Sequence, residues 1–207
     1  MKARRVKKLD PREPLVENAA RIVRVRVREM RSFAPGALEP RGIRDRHDMR
    51  IAAKRLRYVL EATQLCFGKP GQTARRRARD LQDLLGELHD CDIMLPRLET
   101  HLAALREADA EAVLKRAGAS PDLDPRLAAG APHRTAYRGL EVLVVYLQSR
   151  RRLLFDRFLE FWADHERRGT WDRLERVASR QLGDSRDRRR AGKPAPPSHP
   201  ERAVASP

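Results

Sequence analysis

Apolar residues recur every three to four positions along most of this chain, and proline or glycine interrupts the pattern at only a few places. This periodicity is typical of amphipathic helices, and no run of alternating apolar and polar residues is bounded by hairpin turns. We therefore predict an all-α protein, a bundle of about five to seven helices. The helical segments are predicted at residues 15–33, 43–67, 73–95, 96–116, 135–168 and 170–182.

Clusters of proline and glycine mark the expected ends of these helices. The sequence Gly-Lys-Pro-Gly at residues 68–71 is predicted to stop the second helix. Pro96 either kinks the third periodic segment or divides it into two helices. Residues 118–132 are rich in Gly, Ala, Pro and Asp and are predicted to form a long connection.

The two ends of the chain differ in composition from its centre. Residues 1–9 form a basic extension, residues 10–183 carry the helical pattern, and residues 184–207 are rich in proline and arginine. We predict that this last segment is disordered. Two cysteines are too few for a disulfide framework, and the most apolar stretch, at 140–147, is too short to span a bilayer. These features predict a soluble, cytoplasmic protein.

The charge balance points to a polyanionic partner. Lysine and arginine total 45 against 29 acidic residues, which gives a formal net charge of +16. The basic ends account for only half of this charge, because residues 9–183 still carry +8. Such a balance favours attraction to phosphate-bearing molecules or anionic surfaces, without choosing among them.

The second predicted helix carries its cations in one row. At about 100° per residue, His47, Arg50, Lys54 and Arg57 fall on one side of this helix, with apolar residues opposite. Like charges at this spacing repel one another by a few tenths of a kcal/mol each, so an ordinary solvated face mixes signs. A row that tolerates this repulsion suggests a bound anion.

Similar rows occur on the neighbouring helices. The first helix places Arg21, Arg24, Arg28 and Arg31 on one side. The third helix places Arg75, Arg79, Gln82, Gly86 and His89 in one row. If the three helices pack through their apolar faces, the rows could converge on one groove. Arginine suits phosphate there because its planar guanidinium donates two parallel hydrogen bonds.

Two segments of the chain resemble the signature motifs of the CHAD family, the conserved histidine α-helical domain. The sequence HDMRIAAKRLRYVLE at 47–61 fills every position of the family's His, Arg, Lys, Arg-Leu-Arg-Tyr and Glu pattern. The sequence LQDLLGELHD at 81–90 is similar to the second signature, and the segment from Pro14 to Arg21 resembles the first helix. The resemblance covers roughly residues 10–100.

The resemblance implies a helical bundle, usually of two lobes around a basic groove, that binds inorganic polyphosphate and is often found at polyphosphate granules. Many members are fused to, or work beside, triphosphate-metabolising enzymes, but the Glu-x-Glu-x-Lys motif of those enzymes does not occur in this chain. This chain is shorter than a two-lobe member, so a reduced second lobe is expected. We therefore expect a binding protein and not an enzyme, without a metal or a cofactor. The residues predicted to bind polyphosphate are Arg21, Arg24, Arg28, His47, Arg50, Lys54, Arg55, Arg57, Tyr58, Arg75, Arg79 and, early on the long helix, Arg138.

Three other interpretations remain open at this stage. The dipeptides His47-Asp48 and His89-Asp90 occur in metal-dependent phosphohydrolases, although each lies on a different predicted helix among cations. A nucleic-acid partner is possible on charge, but aromatic residues make up only 5% of the chain, so base stacking is poorly supported. The apolar residues around 140–162 could contact a membrane surface, but a stripe of this kind is more often core.

Overall fold

The computed structural model describes residues 2–120 and 122–191, and within them it contains helices and no strands, which confirms the predicted all-α class. Seven α-helices and one short 3-10 turn follow one another within these residues. Their bounds are α1 Leu15–Arg31, α2 Ala34–Ala37, α3 Ile43–Ala62, the 3-10 turn Gln64–Cys66, α4 Gly68–Ala117, α5 Arg126–Ala129, α6 Arg134–Arg167 and α7 Thr170–Ala191.

The end of α3 and the start of α4 differ from the prediction. Helix α3 stops at Ala62, where the hydroxyl of Thr63 donates a hydrogen bond of 2.6 Å to the Val59 carbonyl. The Gly-Lys-Pro-Gly sequence does not end α3, because it forms the first turn of α4. A proline is well tolerated there, since its missing N–H would have no partner in the first turn of a helix.

Helix α4 continues through Pro96 as one helix of 50 residues. At 1.5 Å per residue it is about 75 Å long. The hydroxyl of Thr100 donates a hydrogen bond of 2.8 Å to the Pro96 carbonyl. The two predicted helices of this region are therefore a single rod, which links the core of the protein to its outer part.

The hydrophobic core lies between α1, α3, the first half of α4, the second half of α6 and α7. The apolar faces predicted for the first three long helices are buried, as expected from their periodicity. Phe155, Phe158 and Trp162 of the long helix also belong to the core, so the membrane-surface interpretation of these three residues is not supported. The core side chains include Val23, Val27, Met30, Met49, Leu56, Leu60, Leu81, Leu85, Leu88, Phe155, Phe158, Trp162, Trp171 and Leu174.

The second half of α4 and the first half of α6 form an antiparallel pair that we call the arm, residues 97–150. At its tip, the Asp109 carboxylate accepts hydrogen bonds from the backbone N–H of His133 and from the Tyr137 hydroxyl. Residues 2–120 and 122–191 thus form one hydrophobic core and this arm. Helix α7 extends to Ala191, beyond the predicted end at 182, and residues 192–207 of the predicted tail lie outside the described part of the chain.

Two buried carboxylates tie the helices together. Asp92 of α4 accepts a hydrogen bond of 2.5 Å from Arg151 of α6 and lies 3.8 Å from the guanidinium of Arg46 on α3. Glu29 of α1 is fully buried and contacts Arg55 of α3, and it accepts a hydrogen bond of 2.8 Å from the backbone N–H of Arg4. The second carboxylate therefore holds the basic N-terminal segment against the bundle.

Candidate functional site

The predicted rows of α3 and α4 lie side by side, because these two helices pack antiparallel. The imidazole rings of His47 and His89 have centroids 4.9 Å apart. Ten positions further along α3, the Nε of Arg57 donates a hydrogen bond of 3.1 Å to Gln82 of α4. We call this basic line the α3–α4 seam. Its members are His47, Arg50, Lys54, Arg57 and Tyr58 of α3, with Arg75, Arg79, Gln82, Gly86 and His89 of α4.

The middle of the seam is open at Gly86. The antiparallel pairing of His47 with His89 puts Arg50 and Gly86 at the same level. A Cβ atom built on Gly86 would meet no other atom within 4 Å, so no neighbouring helix requires a glycine here. Glycine costs about 1 kcal/mol relative to alanine inside a helix. Packing between the described residues therefore does not explain why a glycine stands beside Arg50.

Two side-chain nitrogens of the seam lack a protein partner. The Nε of Arg50 and the Nδ1 of His47 are shielded from solvent, and neither makes a hydrogen bond with a described residue. A buried polar group without a partner costs about 1–3 kcal/mol. An oxygen of a bound anion would accept a hydrogen bond from the Nε–H of Arg50 and, when Nδ1 of His47 carries a proton, from that atom too, since both atoms lie on the same face of α3.

The surroundings of His47 favour its neutral form. Burial lowers the pKa of His47 below its usual value, and the neighbouring His89 and Arg50 lower that pKa further. The Asp48 carboxylate acts in the opposite direction but does not reverse the shift. Near neutral pH the ring is therefore uncharged, and a bound polyanion would raise its pKa again.

The second half of the seam is arranged around the ring of Tyr58, which is 49% exposed. The guanidinium carbon of Arg57 lies 4.5 Å from the ring centroid, and the Nζ of Lys54 lies 5.8 Å from it. The Arg57 guanidinium also donates a hydrogen bond of 2.9 Å to Glu61. Tyr58 thus holds two cations near one point of the surface through cation–π contacts.

The cations that α4 contributes are less constrained. Arg79 is exposed and lies 3.6 Å from the Asp83 carboxylate one turn further along the helix. Arg75 is partly buried, and its side chain makes no hydrogen bond or ion pair with another residue of the described ranges. Both side chains are available to a ligand at small energetic cost, because exposed ion pairs of this kind contribute at most about 1 kcal/mol.

The row on α1 does not join the seam. The guanidinium of Arg28 donates a hydrogen bond of 3.1 Å to Glu175 of α7, and Arg31 bonds to Asp172 of the same helix at 2.7 Å. Glu29, one position from Arg28 and so about 100° around α1, faces α3. The rows on α3 and α4 therefore lie next to each other, while the row on α1 faces α7.

The α1 row instead lines a separate basic cavity beneath the N-terminal segment. The cavity has a volume of about 450 Å³ and contains six cationic side chains and one carboxylate, Glu17. Arg21 is ion-paired with Glu13 and Glu17, while the Nε of Arg24 is shielded from solvent without a partner. The cations are Arg5, Lys7, Lys8, Arg21, Arg24 and Arg28. The N-terminal segment has no helical periodicity, so its position beside this row could not be predicted from the sequence pattern.

Two further predicted residues lie away from the seam. Arg55 is directed to Glu29 between α1 and α3. Arg138 follows Tyr137, whose hydroxyl contacts Asp109, twenty positions beyond His89 on α4. That separation corresponds to about 30 Å along the helix axis. Arg138 therefore belongs to the arm and not to the seam.

Other classes of site have little support in the described ranges. No group of three or more His, Cys, Asp or Glu side chains is placed to hold a metal ion in residues 2–120 and 122–191. None of the helices described there is both long enough and apolar enough to cross a membrane. Burial raises the pKa of the Cys66 and Cys91 thiols, so both remain protonated and unreactive near neutral pH.

Comparison with known proteins finds a similarity to one family over the first part of the chain. The family model of the CHAD domain matches residues 2–99, which contain α1, α2, α3 and the first part of α4 up to the start of the arm. The whole α3–α4 seam and the α1 row lie within the matched residues. No curated protein and no solved structure matches this chain.

Proposed function

Because residues 2–99 match the family model of the CHAD domain, we propose that this protein binds inorganic polyphosphate along the α3–α4 seam without hydrolysing it. The observation that supports this function best is the pair of shielded nitrogens without a partner, the Nδ1 of His47 and the Nε of Arg50, beside the open space at Gly86. Phosphate oxygens would accept hydrogen bonds from Arg50 and from His47 when its Nδ1 carries a proton.

The spacing of the cations suits a linear polymer. His47, Arg50, Lys54 and Arg57 follow one another every three or four positions, which is about 5 Å along the axis of α3. An extended chain of phosphates laid along the seam contacts these groups in succession. Each contact releases a counterion, so the affinity is expected to fall steeply with salt concentration.

The α1 row lies outside the seam and would bind polyphosphate separately. Arg21, Arg24 and Arg28 lie with the N-terminal cations around the separate cavity, so a polymer bound there does not follow the same path as one in the seam. We therefore assign the principal binding to the seam. The α1 cavity is a second, weaker surface, because carboxylates already neutralise part of its charge.

The first experiment titrates the full chain with long-chain polyphosphate near physiological salt. The test variant is Arg50→Ala, Lys54→Ala, Arg57→Ala, and the matched control is Lys115→Ala, Arg126→Ala, Arg173→Ala, which removes the same charge from exposed positions away from the seam. We expect the seam variant to lose most of the affinity and the control to lose little. Equal losses in the two variants would reduce the interaction to net charge alone and overturn the proposed site.

Nucleic acid is the main competing ligand, and one structural observation disfavours it. Among the named residues of the seam, Tyr58 is the one Phe, Tyr or Trp, so successive bases have little surface for stacking there. Competition between polyphosphate and single- or double-stranded DNA at equal charge concentration ranks the ligands. Equal affinities would leave a general polyanion binder in place of a polyphosphate-binding protein.

The contact between His47 and His89 also makes hydrolysis worth testing. It brings the two His-Asp dipeptides of the sequence together, although each belongs to a different helix. Purified protein is incubated with tripolyphosphate and Mg²⁺ or Mn²⁺, and phosphate release is measured. We expect none above the level of a His47→Ala, His89→Ala variant, and turnover that this variant lacks would overturn the non-catalytic assignment.

In the cell, such binding would place the protein at polyphosphate granules or beside enzymes that metabolise polyphosphate or triphosphate. Fluorescently tagged wild-type protein and the seam variant are compared in cells that contain granules. Granule localisation that survives loss of the seam would show recruitment by another route.

A further inference from the structure

Helix α6 has apolar side chains on two opposite sides, and only one side is covered. Tyr137, Leu140, Val144 and Leu147 face α4 and are partly buried. On the other side, Val142, Val145, Tyr146 and Leu153 are 64%, 61%, 54% and 54% exposed. A helix that is apolar on all sides is normally enclosed by protein. Within 140–147 only Glu141 is polar, yet none of these residues is buried.

The uncovered side has the spacing of a helix–helix contact. Its positions advance in alternating steps of four and three, the repeat that keeps one face of a helix against another helix. Small residues are interleaved with large ones, which leaves room for side chains of a second helix. We call this surface the outer stripe, and it consists of Thr135, Gly139, Val142, Tyr146, Ser149 and Leu153.

Six charged residues lie along one edge of the outer stripe. Each charge before Leu147 is matched by a charge of the opposite sign at a similar distance after Leu147. Arg138 lies nine positions before Leu147 and Asp156 lies nine positions after it. Arg134 and Glu160 each lie thirteen positions away, on opposite sides of Leu147. Glu141 lies six positions before it and Arg152 lies five after it.

These charges are largely uncommitted within one copy of the chain. All six side chains are exposed. Arg138, Arg152, Asp156 and Glu160 make no side-chain hydrogen bond or ion pair with another residue that the structure describes. Glu141 pairs with Arg106 at the surface of the arm. The pattern is therefore not explained by contacts inside the monomer.

We propose that two copies of this chain associate through their outer stripes, with the α6 helices antiparallel and a two-fold axis level with Leu147. In this arrangement Val142 of each copy meets Leu153 of the other, and Tyr146 meets Ser149. Three kinds of ion pair form, and the two-fold symmetry repeats each of them once on either side of the axis. They are Arg134 with Glu160, Arg138 with Asp156 and Glu141 with Arg152.

The same charges disfavour other occupants of the stripe. A parallel pairing would place each charge against its own copy, for example Arg138 against Arg138. A partner of a single sign, such as an acidic helix or an anionic membrane, would meet Asp156 and Glu160 at one end of the stripe. A second copy in antiparallel orientation places each of the six charges opposite a charge of the other sign. This association lies outside the α3–α4 seam and does not depend on the proposed polyphosphate binding.

The test measures the mass of the full chain in solution by sedimentation or light scattering, without polyphosphate. We expect a concentration-dependent dimer of the 23.8 kDa chain. Arg138→Glu alone and Asp156→Arg alone each place like charges together twice per dimer, so each should raise the dimer dissociation constant about tenfold. The combined variant Arg138→Glu, Asp156→Arg recreates both pairs with exchanged signs and should restore the wild-type value.

Two controls separate the interface from folding and from net charge. Arg173→Glu makes the same charge change as Arg138→Glu on exposed α7 and should leave the dimer unchanged. Val142→Glu should leave helicity unchanged by circular dichroism, since its side chain is exposed, and should abolish the dimer. A monomer at all accessible concentrations, or a dimer that the two single charge reversals do not weaken, would overturn the proposal. Failure of the double reversal to restore association would overturn the antiparallel register.

Discussion

The imidazole rings of His47 and His89 lie 4.9 Å apart, one on each wall of the α3–α4 seam. Protonation of His47 would place a positive charge in a shielded position beside the His89 ring and the Arg50 guanidinium. The free protein therefore disfavours a charged His47, while a bound polyanion favours it. This opposition couples proton uptake to ligand binding.

Polyphosphate affinity is predicted to rise as the pH falls through the bound-state pKa of His47, and to go on rising below pH 6.5. The reason is that burial, together with His89 and Arg50, keeps the pKa of His47 in the free protein below the ordinary histidine value of about 6.5. Titrations from pH 8 to pH 5 measure this directly. The His47→Gln variant, which cannot take up the proton, should have a flatter profile; an unchanged profile would show that His47 takes no part.

The same lowered pKa has an opposite effect on the stability of the free protein. The unfolded chain binds the proton of His47 more readily than the folded chain, so the free energy of unfolding falls as the pH drops below about 6.5 and levels off below the folded-state pKa. Urea unfolding at several pH values should show this slope in wild type. The slope should be smaller in His47→Gln, and a slope of equal size would assign the effect to other groups.

Replacement of Asp92 by alanine is predicted to destabilise the protein strongly. Arg46 is 2% exposed, and the substitution leaves its guanidinium buried without its carboxylate partner. Loss of one partner of a buried ion pair costs about 3–5 kcal/mol. Urea unfolding monitored by circular dichroism measures the change. Asp83→Ala removes an exposed carboxylate from the same helix and should change the stability by less than about 0.5 kcal/mol.

Gly86→Ala is predicted to stabilise the free protein by about 0.5–1 kcal/mol. The new methyl group meets no atom within 4 Å, and alanine is favoured over glycine in a helix interior. Gly86→Glu should fold equally well but weaken polyphosphate binding, because it places a negative charge level with Arg50. Undiminished binding by Gly86→Glu would move the ligand path away from the middle of the seam.

The same alanine substitution at Gly68 is predicted to have the opposite sign. A Cβ at Gly68 would also meet nothing within 4 Å, but the backbone φ there is +53°. A residue with a side chain in this left-handed conformation costs about 1–2 kcal/mol. Gly68→Ala should therefore lower the unfolding free energy by about that amount. Stabilisation by Gly68→Ala would mean that the turn between α3 and α4 adopts another conformation.

Much of the fold could be predicted from periodicity, because the apolar faces of α1, α3 and α4 repeat every three to four residues and are buried as expected. The ends of the helices were harder to predict, because proline residues do not always end a helix. Proline at the start of a helix and proline inside a long helix look alike in sequence, so Pro70 and Pro96 gave no reliable helix ends.

The candidate site was predictable only where neighbouring helices also pack together. The rows on α3 and α4 came from amphipathic spacing, and their antiparallel packing brought His47 to His89. The row on α1 has the same spacing, but the angle around α1 turns it toward carboxylates of α7, such as Glu175. Helix periodicity gives the angle between residues on one helix, and it does not identify the neighbour that each side will face.

The unbroken α4 has a mechanical consequence. Its first half forms one wall of the seam and its second half supports the arm, so the distance between the seam and the outer stripe is set by a single stiff rod. Two copies joined through their arms would hold two seams at a fixed separation. A polymer long enough to reach both would bind bivalently, with an avidity that depends on chain length and vanishes for chains too short to span the gap.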